Sequence, residues 1–189
     1  MRPASDRDTP GRWDRWYRGV VAPATFGDPA TYALGADFLA GCRTIEDWGC
    51  GTGGLRAYVD PARYRGIDGS ASAFADEVAD LRTYRSRVDG VFLRHVLEHN
   101  RDWRAILAGA VASFHRRLVV VLFTPLADGD EAVEVDYCHE LGVPDLSLPR
   151  AAFVSAFAPY RWWVDELDTA SFYGHETIFY VSAAHDAGR

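Results

Sequence analysis

"EDWGCGTGGLRAYV", residues Glu46 to Val59, decides how the rest of the chain is read. Glycines alternate at Gly49, Gly51 and Gly53, and Gly54 follows directly. The run "CRTIEDW" (42–48) precedes them, and "LRAYV" opens a helical pattern after them. A glycine-rich turn between strand and helix lets the backbone approach a nucleotide-like ligand closely. The glycines alone do not choose the ligand. Gly49, Gly51 and Gly54 match the G-x-G-x-x-G dinucleotide fingerprint, whereas the three alternating glycines suit another nucleoside cofactor equally well.

Outward from this loop the chain alternates short apolar runs with helical patterns, as a mostly parallel α/β sheet does. "RYRGID" (63–68), "DEVADL" (76–81), "VDGVFLRHV" (88–96) and "RLVVVLFTP" (117–125) read as the second to fifth strands. "NRDWRAILAGAVASFHR" is an amphipathic helix with Asn100 expected as its N-cap. "PRAAFVSAFAPY" is a further helix, and "RWDRWYRGV" and "PATYALGADFLAG" are helices laid over the sheet. The runs "RWWVDEL" (161–167) and "HETIFYVSA" (175–183) are joined by "DTASFYG", too short for a parallel crossover, so they close the sheet as an antiparallel hairpin.

At 189 residues, with 48% hydrophobic residues, the chain has the material for one core, and no linker divides it. It has no apolar run of membrane-spanning length and no signal-peptide core, so it reads as soluble and cytoplasmic, with no membrane partner. Cys42, Cys50 and Cys138 form neither a disulfide framework nor a zinc motif. Lysine is absent, which removes Schiff-base and P-loop chemistry. Seven acids from Asp128 to Asp145 account for the whole formal charge of -7. A nucleic-acid partner needs clustered positive charge, and only the small group Arg82, Arg85 and Arg87 offers any. The chain does not declare its oligomeric state.

The flanks of the glycine loop separate its two ligands. Asp47 stands two residues before Gly49, where it would repel a pyrophosphate and attract a cation. Asp68 ends the second strand, and an ionised carboxylate there can accept from both hydroxyls of a ribose. Asp80 follows the third strand and could accept from an adenine amine. Three carboxylates at three successive strand ends suit an adenosine with a cationic tail.

At this point "TIEDWGCGTGG" resembles motif I of the class I S-adenosylmethionine-dependent methyltransferases. "RGIDGS" resembles their ribose-binding motif, "VADL" their adenine-binding motif, and "VDGVFLRHVLEHNRDW" their fourth-strand segment. The resemblance runs from about Thr44 to Ala183. It implies a Rossmann-like sheet of seven mostly parallel strands with a C-terminal antiparallel hairpin and helices on both faces. It implies one such domain over 1–189, with 1–40 as a helical cap and 126–150 as an acidic insertion over the acceptor site. It also implies S-adenosyl-L-methionine as cofactor. Asp47 would face the methionyl ammonium, and the backbone of Gly49, Cys50, Gly51 and Gly53 would pass beneath the methionyl and ribose portion. Asp68 and Gly69 would hold the ribose, Asp80 and Leu81 the adenine edge. The stretch between Asp68 and Asp80 departs from the pattern, leaving little room for the usual second helix.

Methyl transfer requires alignment of acceptor, methyl and sulfur, and a base where the acceptor carries a proton. His95 is the leading candidate, with His99 and Tyr173 as further catalytic candidates and His175 near the same loop. Glu98 could orient His95. In the plainer reading "HVLEH" is a strand-to-helix junction in which Glu98 caps the helix and His99 bonds backbone. Trp13, Trp16 and Tyr17 could form an aromatic lid over the cofactor or be ordinary core. The acidic segment, with Tyr137 and His139, could attract an amine-bearing small-molecule acceptor, hold a divalent cation, or be a solvated loop, the favoured reading. It contains no recognised metal spacing. Two other functions compete: a NAD-dependent oxidoreductase or epimerase, disfavoured by Asp47, and a methyltransferase-like binding module without turnover.

Overall fold

The computed structural model describes residues 9–20, 28–138, 141–184 and 186. The parallel core is β1 (Ile45–Trp48), β2 (Tyr64–Asp68), β3 (Glu77–Val78), β4 (Val88–Arg94) and β5 (Phe114–Leu122). After β6 (Val133–Cys138) and β7 (Val143–Ser147), the chain returns as β8 (Arg161–Asp168) and β9 (His175–Ser182). The main sheet has seven strands in the order β3-β2-β1-β4-β5-β9-β8, and β6 and β7 form a separate two-stranded sheet. β9 runs antiparallel to both β5 and β8, so the hairpin closes one side of the sheet. The order reverses beside β1, between the outward path to β3 and the path to β4, which is where such sheets open a ligand crevice.

Helices cover both faces. On one, α2 (Ala30–Phe38) packs Tyr32 and Ala36 with Leu39 against Ile45, Phe92, Val119 and Ile178. On the other, α3 (Trp103–Ser113) and α4 (Arg150–Ser155) bring Trp103, Ile106, Leu107 and Phe153 onto Val91, Leu93, Val120 and Phe179. The central strands are buried on both faces, which is why they read as continuous apolar runs. α1 (Thr9–Tyr17) lies at the carboxyl ends of the parallel strands, among the residues of the site below. Among the described residues, no helix is long and apolar enough to cross a membrane.

Several local expectations are corrected. The segment after the glycines is a 3-10 turn, Gly54–Ala57, because Pro61 ends it within two turns. The third strand is only Glu77–Val78 rather than 76–81; as the short spacing from Asp68 implied, no helix precedes it. Asp102, rather than Asn100, is the N-cap residue of α3; Asn100 instead donates from Nδ2 to the Val96 carbonyl at 2.6 Å. The acidic segment is a β-hairpin rather than a solvated loop. β6 carries the exposed acids Glu134 and Asp136, whereas every residue of β7 is buried.

The fit of α2 against the sheet rests on Gly35. A Cβ there would stand 2.4 Å from Cε2 of the fully buried Phe92 ring. Gly35→Val should therefore lower stability by about 1–3 kcal/mol through overpacking, seen as a lower midpoint in urea with an unchanged slope.

Candidate active site

A cavity of about 400 Å³ opens at the carboxyl ends of β1, β2, β4 and β5. The glycine loop forms its floor. Gly49 has φ +72°, and a Cβ there would meet Val96 Cγ2 at 2.3 Å. Gly51 has φ +53° and would place a Cβ 2.9 Å from the Tyr17 hydroxyl. Gly53 is also left-handed, while Gly54 is absent from the positive-φ residues and gives its space to the Tyr32 ring. Only the alternating glycines therefore need their backbone conformation. Gly49, Cys50 and Gly51 line the cavity and Gly53 does not. Burial pushes the Cys50 thiol up, so it stays protonated.

Asp68 lines the cavity beside Gly69 and Ser70. Its carboxylate accepts the backbone N–H of Gly51 and of Ser70, each at 2.8 Å, tying the first loop to the second. Burial raises its pKa, and these two bonds oppose the rise. Asp47 lies one layer deeper and is not among the lining residues. It accepts from the Tyr64 hydroxyl at 2.9 Å, and burial pushes its pKa up to about 7 against that bond. Asp80 and Leu81 both line the cavity. Both Asp80 oxygens are held by Arg82, from Nε at 2.8 Å and Nη2 at 2.6 Å, which lowers the acid's pKa.

α1 covers the loop. The Tyr17 ring stacks on Trp13 at 5.8 Å and meets Trp16 edge-on at 5.2 Å, and all three line the cavity. Asp14 Oδ1 accepts the Ala71 N–H at 2.6 Å, and Arg12 donates to the Gly142 carbonyl. These bonds anchor the helix on both sides of the opening.

The opposite wall carries the two histidines. His95 follows β4 and, with φ +57°, is the one non-glycine residue of positive φ among the described residues. Its Nε2 stands 2.5 Å from Glu176 Oε1, though out of line for a well-formed hydrogen bond. A proton on Nε2 would suit that carboxylate and would leave Nδ1 as the basic nitrogen. Burial pushes the His95 pKa down to about 4, with Glu176 working against it. Glu176 is fully buried and also takes Arg94 Nη2 at 2.6 Å and the Thr31 hydroxyl at 3.3 Å. Arg94 in turn donates from Nε to Thr31 at 2.9 Å and lies over the Tyr32 ring at 4.3 Å.

His99 Nδ1 faces two acceptors, the Pro144 carbonyl at 3.0 Å and Asp145 Oδ1 at 3.2 Å, so it carries a proton. Burial disfavours its charge, but Asp145 and Glu98 outweigh burial and its pKa is raised. Phe123 lies between the histidines, 4.8 Å from the His95 ring and 5.3 Å from that of His99. Tyr173 stands just outside the lining, its hydroxyl 3.3 Å from Asp145 Oδ2. His175 turns Nδ1 to the Tyr173 carbonyl at 3.1 Å, within its own turn.

Glu98 neither orients His95 nor caps a helix. It is fully buried, accepts the Phe123 N–H at 2.8 Å, and burial pushes its pKa up to about 7. Of the acidic segment, Asp145 reaches the cavity, while Glu134 pairs with Arg101 at the surface. His139 lies outside the described residues. Among the described residues, no three His, Cys, Asp or Glu side chains gather as a metal site. Sequence reading missed Glu176, Arg94, Phe123 and the individual part of Asp145. The visible signal was charge in apolar strands: arginine in "VFLRHV" and glutamate in "HETIFYV".

No protein-family model and no curated protein sequence matches the chain significantly. Solved structures do match its fold. Magnesium protoporphyrin IX methyltransferase from Synechocystis PCC 6803, with bound S-adenosylhomocysteine, superposes with a TM-score of 0.62 at 15% identity, covering 95% of this chain and 97% of that one. N-methyltransferase NodS from Bradyrhizobium japonicum WM9, also with S-adenosylhomocysteine, gives 0.64 at 11% identity, covering 94% and 100%. A Burkholderia thailandensis 1,6-didemethyltoxoflavin-N1-methyltransferase, bound to 1,6-didemethyltoxoflavin and S-adenosylhomocysteine, gives 0.60 at 14% identity, covering 82% and 79%. With its strand order, its antiparallel closing hairpin and its glycine loop at the switch point, the chain has the Rossmann-like fold of the class I S-adenosylmethionine-dependent methyltransferases.

Proposed function

We propose that the protein transfers a methyl group from S-adenosyl-L-methionine to a small-molecule acceptor. One observation carries this reading: a single cavity joins the glycine loop and Asp68 on one side to His95, in contact with the buried Glu176, on the other. The cradle suits the cofactor. Gly51 leaves room where a side chain would intrude, and Asp68 has lone pairs beyond the two that its N–H donors occupy. Leu81 gives the adenine an apolar seat, and Asp80 receives its amine on loosening from Arg82. Asp47 supplies negative charge from behind the loop, in favour of a cationic tail and against a pyrophosphate, which also speaks against a NAD-dependent reaction.

When bound, the cofactor supplies a methyl group already activated on a sulfonium. His95 then takes the acceptor's proton at Nδ1, while Glu176 holds Nε2–H and stabilises the imidazolium that forms. Arg94 keeps the Glu176 charge in place. With burial pushing its pKa down to about 4, His95 is uncharged throughout the neutral range but a weak base, so the reaction relies on Glu176 to stabilise the imidazolium as it forms. His99 and Tyr173, joined through Asp145, with Phe123 and the α1 aromatics, shape the acceptor end. α1 and the β6–β7 hairpin are its two walls, in keeping with a single domain that carries an N-terminal cap and an acidic insertion.

Calorimetry with S-adenosylhomocysteine tests the reading directly. Binding to wild type is expected, and Asp68→Ala should weaken it by about ten- to a hundredfold, as for loss of charged hydrogen bonds. Folded wild-type protein that takes up no ligand would sink the proposal.

A pH series gives a second check. Asp47 ionises through about 7, and its anion favours the ligand's ammonium. Affinity should rise from pH 6 to pH 8 in wild type, and the rise should be smaller in Asp47→Asn.

For the histidine, 15N NMR should show His95 as the Nε2–H tautomer in wild type. Glu176→Gln should keep that tautomer and lower the imidazole pKa further. A predominant Nδ1–H form removes His95 Nδ1 as the base.

A further inference from the structure

Among the described residues, no strand pairs with the outer edge of β8, the long terminal strand of the main sheet. Arg161 to Glu166 are exposed without a break, and Trp162, Trp163 and Val164 retain 39%, 46% and 40% of their surface in solvent. The two tryptophans stand on opposite faces. Trp162 leans on Phe157 and Phe179, and Trp163 stacks on Tyr180 and meets Phe38 edge-on. Solitary edges are normally blunted by charged side chains, proline or a bulge. β8 has no proline, its pairing with β9 runs from Arg161↔Ser182 to Asp168↔His175 without a register shift, and its charges, Arg161 on one side and Asp165, Glu166 and Asp168 on the other, flank the apolar Trp162, Trp163 and Val164. It therefore offers a straight row of outward backbone donors and acceptors with apolar side chains above and below.

We propose that β8 pairs antiparallel with β8 of a second copy of this chain, in a register centred on Trp163, making one continuous sheet across a two-fold axis. The pattern Arg161–Trp162–Trp163–Val164–Asp165 is self-complementary in that register. Arg161 stands opposite Asp165 of the second copy, twice by symmetry. Trp162 stands opposite Val164, and Trp163 opposite its own mate. The next two registers toward the carboxyl end fail this test. A centre on Val164 sets Trp163 opposite Asp165, and a centre on Asp165 sets that acid opposite itself, where like charges repel. A parallel arrangement would align the acids as well. Antiparallel pairing on Trp163 carries Glu166 and Asp168 beyond the overlap, away from each other. An isologous contact of this kind closes at two subunits. It joins the backs of two molecules, because none of these five residues lines the cavity, and it does not depend on the methyltransferase reading.

Sedimentation equilibrium of the full chain, across a wide concentration range, is the test. Wild type should be a dimer in equilibrium with monomer. Arg161→Asp and Asp165→Arg should each weaken it roughly tenfold or more, since each replaces two attractions with two repulsions. An equimolar mixture of the two variants should regain wild-type affinity, because both ion pairs are then restored across the heterodimer. Circular dichroism and S-adenosylhomocysteine affinity should match wild type in every variant. A wild type that remains monomeric overturns the proposal. So does a dimer indifferent to both charge reversals, or one that the mixture fails to restore.

Discussion

The buried charge of Glu176 is the constraint on which the rest of the site depends. β9 carries this carboxylate to a position with no exposed surface, and α2 and the end of β4 both reach to it through Thr31, Arg94 and His95. A carboxylate and a guanidinium so enclosed pay heavily in lost hydration, and they persist only while each has its partners. Removing one leaves the other stranded. The sheet's closing hairpin, the helix over its face and the turn after β4 are thus fixed relative to one another by electrostatics as well as by apolar packing. Such a pair contributes less to net stability than to uniqueness, since few arrangements satisfy Glu176, Arg94 and Thr31 together.

Asp68 does the corresponding work across the cavity. By accepting from Gly51 and Ser70 it sets the separation of two loops that emerge from adjacent strands. The two carboxylates differ in one respect. Glu176 is spent on protein groups, whereas Asp68 opens onto the cavity with acceptor capacity in hand. That contrast separates a carboxylate that builds a site from one that can receive a ligand.

The sheet was legible because its governing features are local. β4 and β5 announce themselves as apolar runs, and the glycines of the first turn answer a backbone demand visible in residue type alone. Asp68 could be placed by counting to the end of the next strand. What was not legible depends on contacts distant in sequence. Arg94 and Glu176 are 82 residues apart, and only the antiparallel return of β9 beside β5 brings them together. The β6–β7 hairpin was obscured by its charge, and by Pro144 in the strand that is buried. Acidic composition suggested a loop, yet Val143, Leu146 and Leu148 carry the burial that holds β7 in place. Asn100 looks like a cap because of its type, but the backbone turns two residues later.

The left-handed backbone at His95 sets stability against the presence of a side chain at a single residue. A side chain with a Cβ is disfavoured in that conformation by about 1–3 kcal/mol, and glycine would occupy it without strain. The turn after β4 is thus held in tension to project an imidazole at this point. Under selection for thermal stability alone, position 95 is one where glycine would relieve the backbone at the cost of the imidazole. A thermostabilised variant of this protein should be inspected there first.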